Sequence, residues 1–484
     1  MEQWVSTGNS HPVERIPEMD IETFSHILTG SSGTHRLALF SAEKLNTETI
    51  LYAGLLDDRS RRVNLLSARL PNGATFSSIT QRLPAAHLFE REIHEQTGLM
   101  PQGHPWLKSV RRAEDSYPFY RIKGDEVHEV GVGPVHAGVI EPGHFRFNCT
   151  GERIETLEIM HGYQHRGVEG KFLRGDICSH AVLAETVSGD AAVAHAIAYA
   201  QLMEGITGTI VSPRAEALRA VMLELERAAM HIGDLGALSG DIAYISGADM
   251  FGAVRTLVIN TSQYIGGNRF GRGMVRPGGV MYDITDAMIP VILNTIAKVI
   301  GDIDAIAAAL FSNPVAINRF EGTGVVSRET ADALGLTGPA ARASGRNVDA
   351  RRDQPSGLYL RQYPRVHVLD SGDVFARARI RYLEARESLL FVKGLLEHLP
   401  EGDLSTELGR VKPGVAAISI VEGWRGEVTH FIRTDENAAA AFYKIVDPSF
   451  FNWSALEMAV RGNGISDFPV CNKSFNLSYC GFDL

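Results

Sequence analysis

Apolar and polar positions change rhythm along the chain, and the changes divide it. From residue 21 to about residue 110, short apolar segments (RLALF, TILYAGLL, RVNLLSARL) alternate with the turn-forming DDRS and PNG, and a helix is predicted over 85–96. This pattern predicts a small α+β domain over 21–120, preceded by an N-terminal tail, 1–20. The charged, glycine-containing run RIKGDEVHEVGVGP marks a linker at 121–132. A second domain, 133–484, opens with HFRFNCTGERIETLEIM, where alternation around a Gly-Glu turn predicts a hairpin, and helices dominate thereafter. Over 213–235 apolar residues recur at helical spacing, which places Glu224, Arg227 and His231 on one face. Further helices are predicted near 285–311 and 372–397. Between them lie the VRPGG loop (275–279) and a stretch, 312–370, too polar and broken for regular elements.

The length of 484 residues fits two or three domains. A formal charge of -10 argues against nucleic acid as a partner, because such binders present a concentrated basic face. The only cysteines are Cys149, Cys178, Cys471 and Cys480. They form no CxxC pair, which fits a reducing compartment and excludes an iron-sulfur cluster or zinc site held by this chain's own thiolates. The opening MEQWVSTGNSHPVERIPEMD has no basic segment followed by an apolar one, and the uncharged runs fall short of the ~18 residues of a membrane span. The chain is expected to be neither secreted nor membrane-spanning, so that any membrane link runs through partner subunits.

Phosphate-loop, HExxH, GxSxG and strand-anchored GxGxxG motifs are absent. What the chain carries instead is a series of phrases in fixed order: PAAHLFEREIHEQTGLMPQGHPWL (84–107), GPVHAGVIEPGHFRF (133–147), GYQHRGVEG (162–170), AETVSGDAAVAHA (184–196), RPGGV (276–280), the run 321–355, VEGWRGEV (421–428) and DPSFFNW (447–453). The first resembles the respiratory complex I subunit that docks beside the large one, here fused to it. The others resemble segments around the buried site of the large subunits of group 4 nickel-iron hydrogenases and complex I. The resemblance implies an α+β N-terminal domain followed by a mainly α-helical, hydrogenase-large-subunit-like domain with a small antiparallel sheet. It also implies an iron-sulfur small subunit and proton-pumping-type membrane subunits as partners, and a peripheral place on the cytoplasmic face of the inner membrane.

One departure changes the functional expectation. Hydrogenases of this superfamily carry one CxxC in the segment matching AETVSGDAAVAH and another in that matching DPSFFNW; here the four positions read Ser188, Ala191, Ser449 and Asn452. A methyl offers no lone pair, and hydroxyl and amide groups are hard, weak donors for a metal that needs thiolates. No nickel-iron centre is expected, and no hydrogenase activity. Complex I shows the same cavity holding a quinone headgroup between a histidine and a tyrosine. His136 and His144 are the candidate histidines, either for a quinone carbonyl or as hydrogen-bonded residues of a hairpin loop. The matching stretch for the tyrosine reads Ser188-Gly189-Asp190.

His165, Arg166 and Glu169 correspond in the resemblance to a proton-relay stretch ending on a buried glutamate with a raised pKa, or to an Arg-Glu pair that stabilises a loop. Asp190 is a candidate for the cavity, whereas His195, five residues on, falls on another helix face and reads as a core histidine. Glu224, Arg227 and His231 form either a charged track or an exposed ion-paired face. The polar cluster Arg342, Asp349, Arg351, Arg352 and Asp353 belongs to the long loop. Two functions remain: an NADH-quinone oxidoreductase-like subunit in which redox chemistry with a quinone is coupled to ion translocation, and a non-catalytic scaffold of such a complex.

Overall fold

The computed structural model describes residues 4–31, 33–112, 117–136 and 140–484. Positions 137–139 of the phrase at 133–147 lie outside the described residues.

The apolar segments of the first domain form an antiparallel meander, Arg36–Lys44, Glu48–Asp57 and Arg62–Pro71. The central strand is buried on both faces, because a helix covers one and the second domain covers the other. Phe24 of helix Ile21–Gly30 packs on Phe40 at 5.9 Å, while Tyr52 meets Phe431 and Phe442 at 5.5 and 5.7 Å. Asp20 caps this helix by accepting the Thr23 N–H at 2.8 Å. Asp20→Ala is therefore expected to cost about 1 kcal/mol, read as a lower urea midpoint at unchanged slope; an unmoved midpoint would show that the cap contributes nothing.

Two expected boundaries are corrected. The segment expected to be a tail is built into the fold from Trp4 on: Trp4–Val5 and Glu18–Met19 pair with Arg62–Pro71, and Ser10–Pro12 forms the edge of the second domain's sheet. The expected linker contains strand Val127–Val132, which pairs with His144–Thr150. The domains share one apolar core, with Phe89 on Phe450 and Phe451 at 4.9 and 5.5 Å.

The predicted hairpin is His144–Thr150 and Arg153–Met160. A second sheet has the order Ala440–Val446, Gly426–Thr434, Val415–Gly423, Ser10–Pro12. Helix Ala192–Thr207, buried nearly all round, lies against this sheet and ends at Gly208 in the left-handed conformation (φ 71°) that favours glycine. Helix Pro213–Asp241 starts where Ser212 accepts the Ala215 N–H at 3.1 Å and Pro213 fixes the first turn. Helices Ile245–Gly266, Ile289–Ser312 and Val374–Glu397 complete a bundle around it. The stretch 312–370 is not irregular as expected: it holds helices Pro314–Phe320, Arg328–Leu334, Gly338–Ala343 and Ala350–Asp353, each too short for periodicity to show. Among the described residues, no helix is long and apolar enough to cross a membrane.

Candidate functional site

Helices Ala192–Thr207 and Pro448–Ala459 start beside each other, and the segment leading into the first and the first turn of the second bring positions 188, 191, 449 and 452 into one buried site. Ser188 Oγ lies 2.9 Å from Ser478 Oγ, and the Ser478 N–H donates to Ser449 Oγ at 2.9 Å, so a third serine bridges the other two. Asn452 accepts the Thr337 N–H at 3.1 Å and donates to Thr337 O at 3.2 Å. Ala191 packs in a small apolar cluster with Met230 and Trp424.

Beside the serines is Arg425. Its Nη1 and Nη2 donate to Asp190 at 2.6 and 2.7 Å, Nε donates to Asn476 O at 2.5 Å, and Nη1 is 3.5 Å from Ser188 Oγ. Its guanidinium stacks 3.8 Å from the Trp424 ring centroid. Burial alone would raise the Asp190 pKa, but the guanidinium holds it below the usual carboxylate range. These residues do not fit nickel. The hydroxyls and the amide already share hydrogen bonds with one another or with backbone, position 191 is a methyl, and a fixed cation stands within hydrogen-bond distance of Ser188.

From the same helix start a buried polar chain runs into the sheet. Asp447 accepts the Ser449 N–H at 2.8 Å; its other oxygen is 3.1 Å from His195 Nε2. His195 Nδ1 is 3.0 Å from His430 Nε2, and His430 Nδ1 is 2.8 Å from the Tyr443 hydroxyl. Burial drives the His430 pKa well below its ordinary value, so this ring is neutral. The carboxylate can only accept, so His195 Nε2–H donates to Asp447, and the neutral His430 donates from one ring nitrogen and accepts at the other. His195 is the satisfied core histidine that its position predicts.

A second buried network starts at Asn476, whose amide donates to Asp234 at 2.6 Å. Asp234 pairs with Arg381 at 3.0 Å, and Arg381 Nη1 is 3.3 Å from His231 Nδ1. His231 Nε2 meets Glu384 at 3.0 Å, and Glu384 pairs with Arg342 at 2.7 Å. Arg342 also binds Glu422 at 2.8 Å and Asp349 at 3.4 Å; Asp349 pairs with Arg351, and Arg351 with Glu224 at 2.9 Å. Glu224, Arg227 and His231 thus face inward, all fully buried, and the Arg342–Arg351 cluster is core rather than loop surface. Burial opposes ionisation of Glu384, yet Arg342 and His231 hold its pKa well below the usual range.

The remaining predicted residues flank the site. His136 Nε2 is 2.8 Å from Gly143 O, and His144 Nδ1 is 3.1 Å from Gly133 O, so the two rings close the loop 133–144 on itself. Burial lowers the His144 pKa. Gly143 lies against Tyr479, where a Cβ would stand 2.5 Å from the ring, and Glu141 accepts the Cys480 N–H at 3.2 Å. The loop therefore packs on the segment that follows the bridging Ser478. His165 Nδ1 is 2.8 Å from Asp483 O, and Arg166 donates to Thr186 O, Val187 O and Cys480 O. These bonds tie 162–170 to both sides of the site. Glu169 takes its partners elsewhere than Arg166: it pairs with Lys444 at 2.9 Å and accepts the Ile445 N–H at 2.9 Å.

Arg425, Asp447, His430, Tyr443, Ser478 and Tyr479 complete the site although the sequence does not single them out. Arg425 and Asp447 belong to the matched phrases VEGWRGEV and DPSFFNW; Ser478 and Tyr479 belong to none.

The family model of the 49 Kd subunit of respiratory-chain NADH dehydrogenase matches residues 241–413 and 404–483, and that of the 30 Kd subunit matches 19–121. The carbon monoxide-induced hydrogenase of Rhodospirillum rubrum is 30% identical over 352 residues, which cover 72% of this chain and 97% of that protein. Formate hydrogenlyase subunit 5 of Escherichia coli (strain K12) is 30% identical over 438 residues, 84% of this chain and 77% of that one. A subunit of the NADH-quinone oxidoreductase of Clostridium beijerinckii is 31% identical over 340 residues, 69% and 91% respectively. Among solved structures, a chain of the membrane-bound sulfane sulfur reductase, an archaeal respiratory membrane complex, shares the fold with a TM-score of 0.70 at 24% identity, covering 75% of this chain and all of that one.

Proposed function

We propose, since this chain belongs to the superfamily of respiratory complex I 49-kDa subunits and group 4 hydrogenase large subunits, that it is the large peripheral subunit of a membrane oxidoreductase complex whose nickel site has become a metal-free polar site. Its N-terminal part is the 30-kDa-type subunit, fused. The observation that carries this reading is the Ser188–Ser478–Ser449 bridge under the Arg425–Asp190 pair, at the positions where relatives would need four thiolates.

In this reading electrons arrive from iron-sulfur clusters of a partner subunit on the cytoplasmic face and leave on a quinone, with ion translocation in membrane partners. Three features support a carbonyl acceptor. The loop of His136 and His144 brings two imidazoles to the site, each donating one N–H to a backbone carbonyl and able to donate from its other nitrogen only when protonated; Tyr479 is the tyrosine packed against that loop, and Arg425 is a fixed cation beside the site. An imidazole or phenol hydrogen-bonded to a quinone oxygen stabilises the charge that develops on reduction, and can then supply the proton. The second reading, a scaffold, draws on the saturation of the same polar groups by one another and on the apolar packing around Ala191.

Purification through a tag on this chain and photolabelling with an azidoquinone separates the two. Saturable labelling between residues 133 and 147 or at Tyr479, lost in Gly143→Ala, is expected. An intact, cluster-containing complex that takes no label would establish the scaffold.

A further inference from the structure

Far along the second buried network lies a cavity of about 670 Å³, walled by residues 6–11 of the N-terminal segment, the two long helices around Gln201 and Arg219, and the turn 355–360. It is open to solvent, and its lining includes Glu422, Arg351 and Tyr359, three members or neighbours of the network that are themselves buried (2%, 4% and 8% exposed). The Tyr359 hydroxyl donates to Glu224 at 2.7 Å. A water-sized space of this volume is ample for a hydrated inlet, since one water needs only about 10–15 Å³.

The charge count around that inlet is uneven. In the buried cluster behind it, four carboxylates (Glu224, Asp349, Glu384 and Glu422) meet three guanidiniums (Arg227, Arg342 and Arg351), while on the cavity wall Glu204 pairs with Arg219 at 2.5 Å and Glu216 and Lys412 are of opposite sign. Arg381 and Asp234 balance each other, and burial lowers the His231 pKa to about 4, so that ring adds no charge. One negative charge is left over in a region of low polarity, where it is costly. Glu422 is the carboxylate that both belongs to the cluster and lines the cavity. It faces Arg342 from Gly338–Ala343, Asp349 from the cap of Ala350–Asp353, Arg227 from Pro213–Asp241 and Glu427 from the neighbouring strand. Burial, then Asp349, outweigh Arg342 and favour its protonated form. Arg342 keeps two other carboxylates when Glu422 takes up a proton.

We propose that this cavity is a proton-entry site: water in it transfers one proton to the Glu422 carboxylate, and the ion-pair network conveys the resulting change of charge to the Arg425–Asp190 pair. In the transfer an O–H bond of a hydronium ion breaks, a Glu422 O–H bond forms, water returns to the cavity, and no electron moves. The contacts between the ends are those from Glu422 through Arg342, Glu384, His231, Arg381, Asp234 and Asn476 to Arg425. The inference deepens the proposed function and rests on it only for the use made of the proton.

The test is infrared difference spectroscopy of the purified complex between about pH 5 and 9, in H2O and D2O. A buried carboxylic acid C=O band that titrates in this range and is absent in Glu422→Gln is expected. In Ser356→Trp, which puts bulk into the cavity from its wall and gives up the Gln201–Ser356 bond but no ion pair of the network, the band should respond to a pH jump roughly tenfold more slowly, about 1.4 kcal/mol of added barrier. No titrating band in the wild type, the same band in folded Glu422→Gln, or an unaltered rate in Ser356→Trp would each overturn the proposal. Ser356→Trp serves as the test should Glu422→Gln not fold. Quinone photolabelling does not depend on this route, so its loss and the loss of the infrared response report on different claims.

Discussion

Arg342→Met is expected to destabilise the chain by about 3–5 kcal/mol, the cost of stranding a buried charge. The Arg342 side chain is fully buried, donates to Glu384 at 2.7 Å, to Glu422 at 2.8 Å and to Val348 O at 2.9 Å, and stands 3.4 Å from Asp349. Methionine approximates the volume but leaves three carboxylates with only the outlying Arg227, Arg351 and His231 to hold them. Some of them must then take protons or admit water. The measurement is urea unfolding near neutral pH, with Arg342→Lys as comparator. Lysine keeps the charge but not the planar fork, and should lie between the two. A midpoint unchanged in Arg342→Met would mean that the network is not part of what holds the domain together.

The second large effect concerns Glu226, next to Arg227 in the chain but turned away from the network. Its carboxylate accepts the N–H groups of Val193 and Ala194 at 2.8 and 3.3 Å, at the start of the helix that follows position 191, and burial pushes its pKa up to about 8. A raised carboxyl pKa means that the folded state holds a proton that the unfolded chain has lost. Its contribution is therefore fully present below about pH 4.5 and disappears as pH rises to about 8. Glu226→Gln cannot ionise but keeps only one of the two accepting oxygens, so near pH 5 it is expected to lie about 1 kcal/mol below the wild type. Near pH 9 it should exceed the wild type by about 2–4 kcal/mol. Paired urea titrations at the two pH values give the difference directly, free of groups common to both proteins. Parallel pH profiles would show that Glu226 ionises freely in the fold.

What can be read in advance depends on how far apart the cooperating residues are in the chain. Apolar residues at helical spacing over 213–235 announce a long helix because periodicity is local. The spacing of Glu224, Arg227 and His231 fixes a shared face but not its direction, since that depends on Glu384, Arg342 and Arg351, which arrive much later in the chain. Positions 188, 191, 449 and 452 are legible through the phrases around them. Their bridging by Ser478 is not, because Ser478 reaches them only when the C-terminal segment folds back over the helix starts. The N-terminal segment hides its strands for a simpler reason. Trp4–Val5, Ser10–Pro12 and Glu18–Met19 are two or three residues long, and alternation cannot show over so few positions. The sequence offers Glu169 only the nearby Arg166 as a pairing partner, because Lys444, its actual partner, lies in a strand far along the chain that no local pattern connects to it.

The fold also relates the readings of the site. One helix start supplies both the Asp447–His195–His430–Tyr443 chain and the serine bridge, so a change of charge at Arg425 or Asp190 is felt by two buried polar systems that leave in different directions.

The most direct test is metal analysis of the intact complex, purified after growth with added nickel and counted against this chain, together with hydrogen turnover by the same preparation. With hydroxyls, an amide and a methyl at positions 188, 191, 449 and 452, the complex should carry far less than one nickel per chain and evolve no hydrogen. One nickel per chain, lost together with hydrogen turnover in Ser188→Ala or Ser449→Ala, would contradict it.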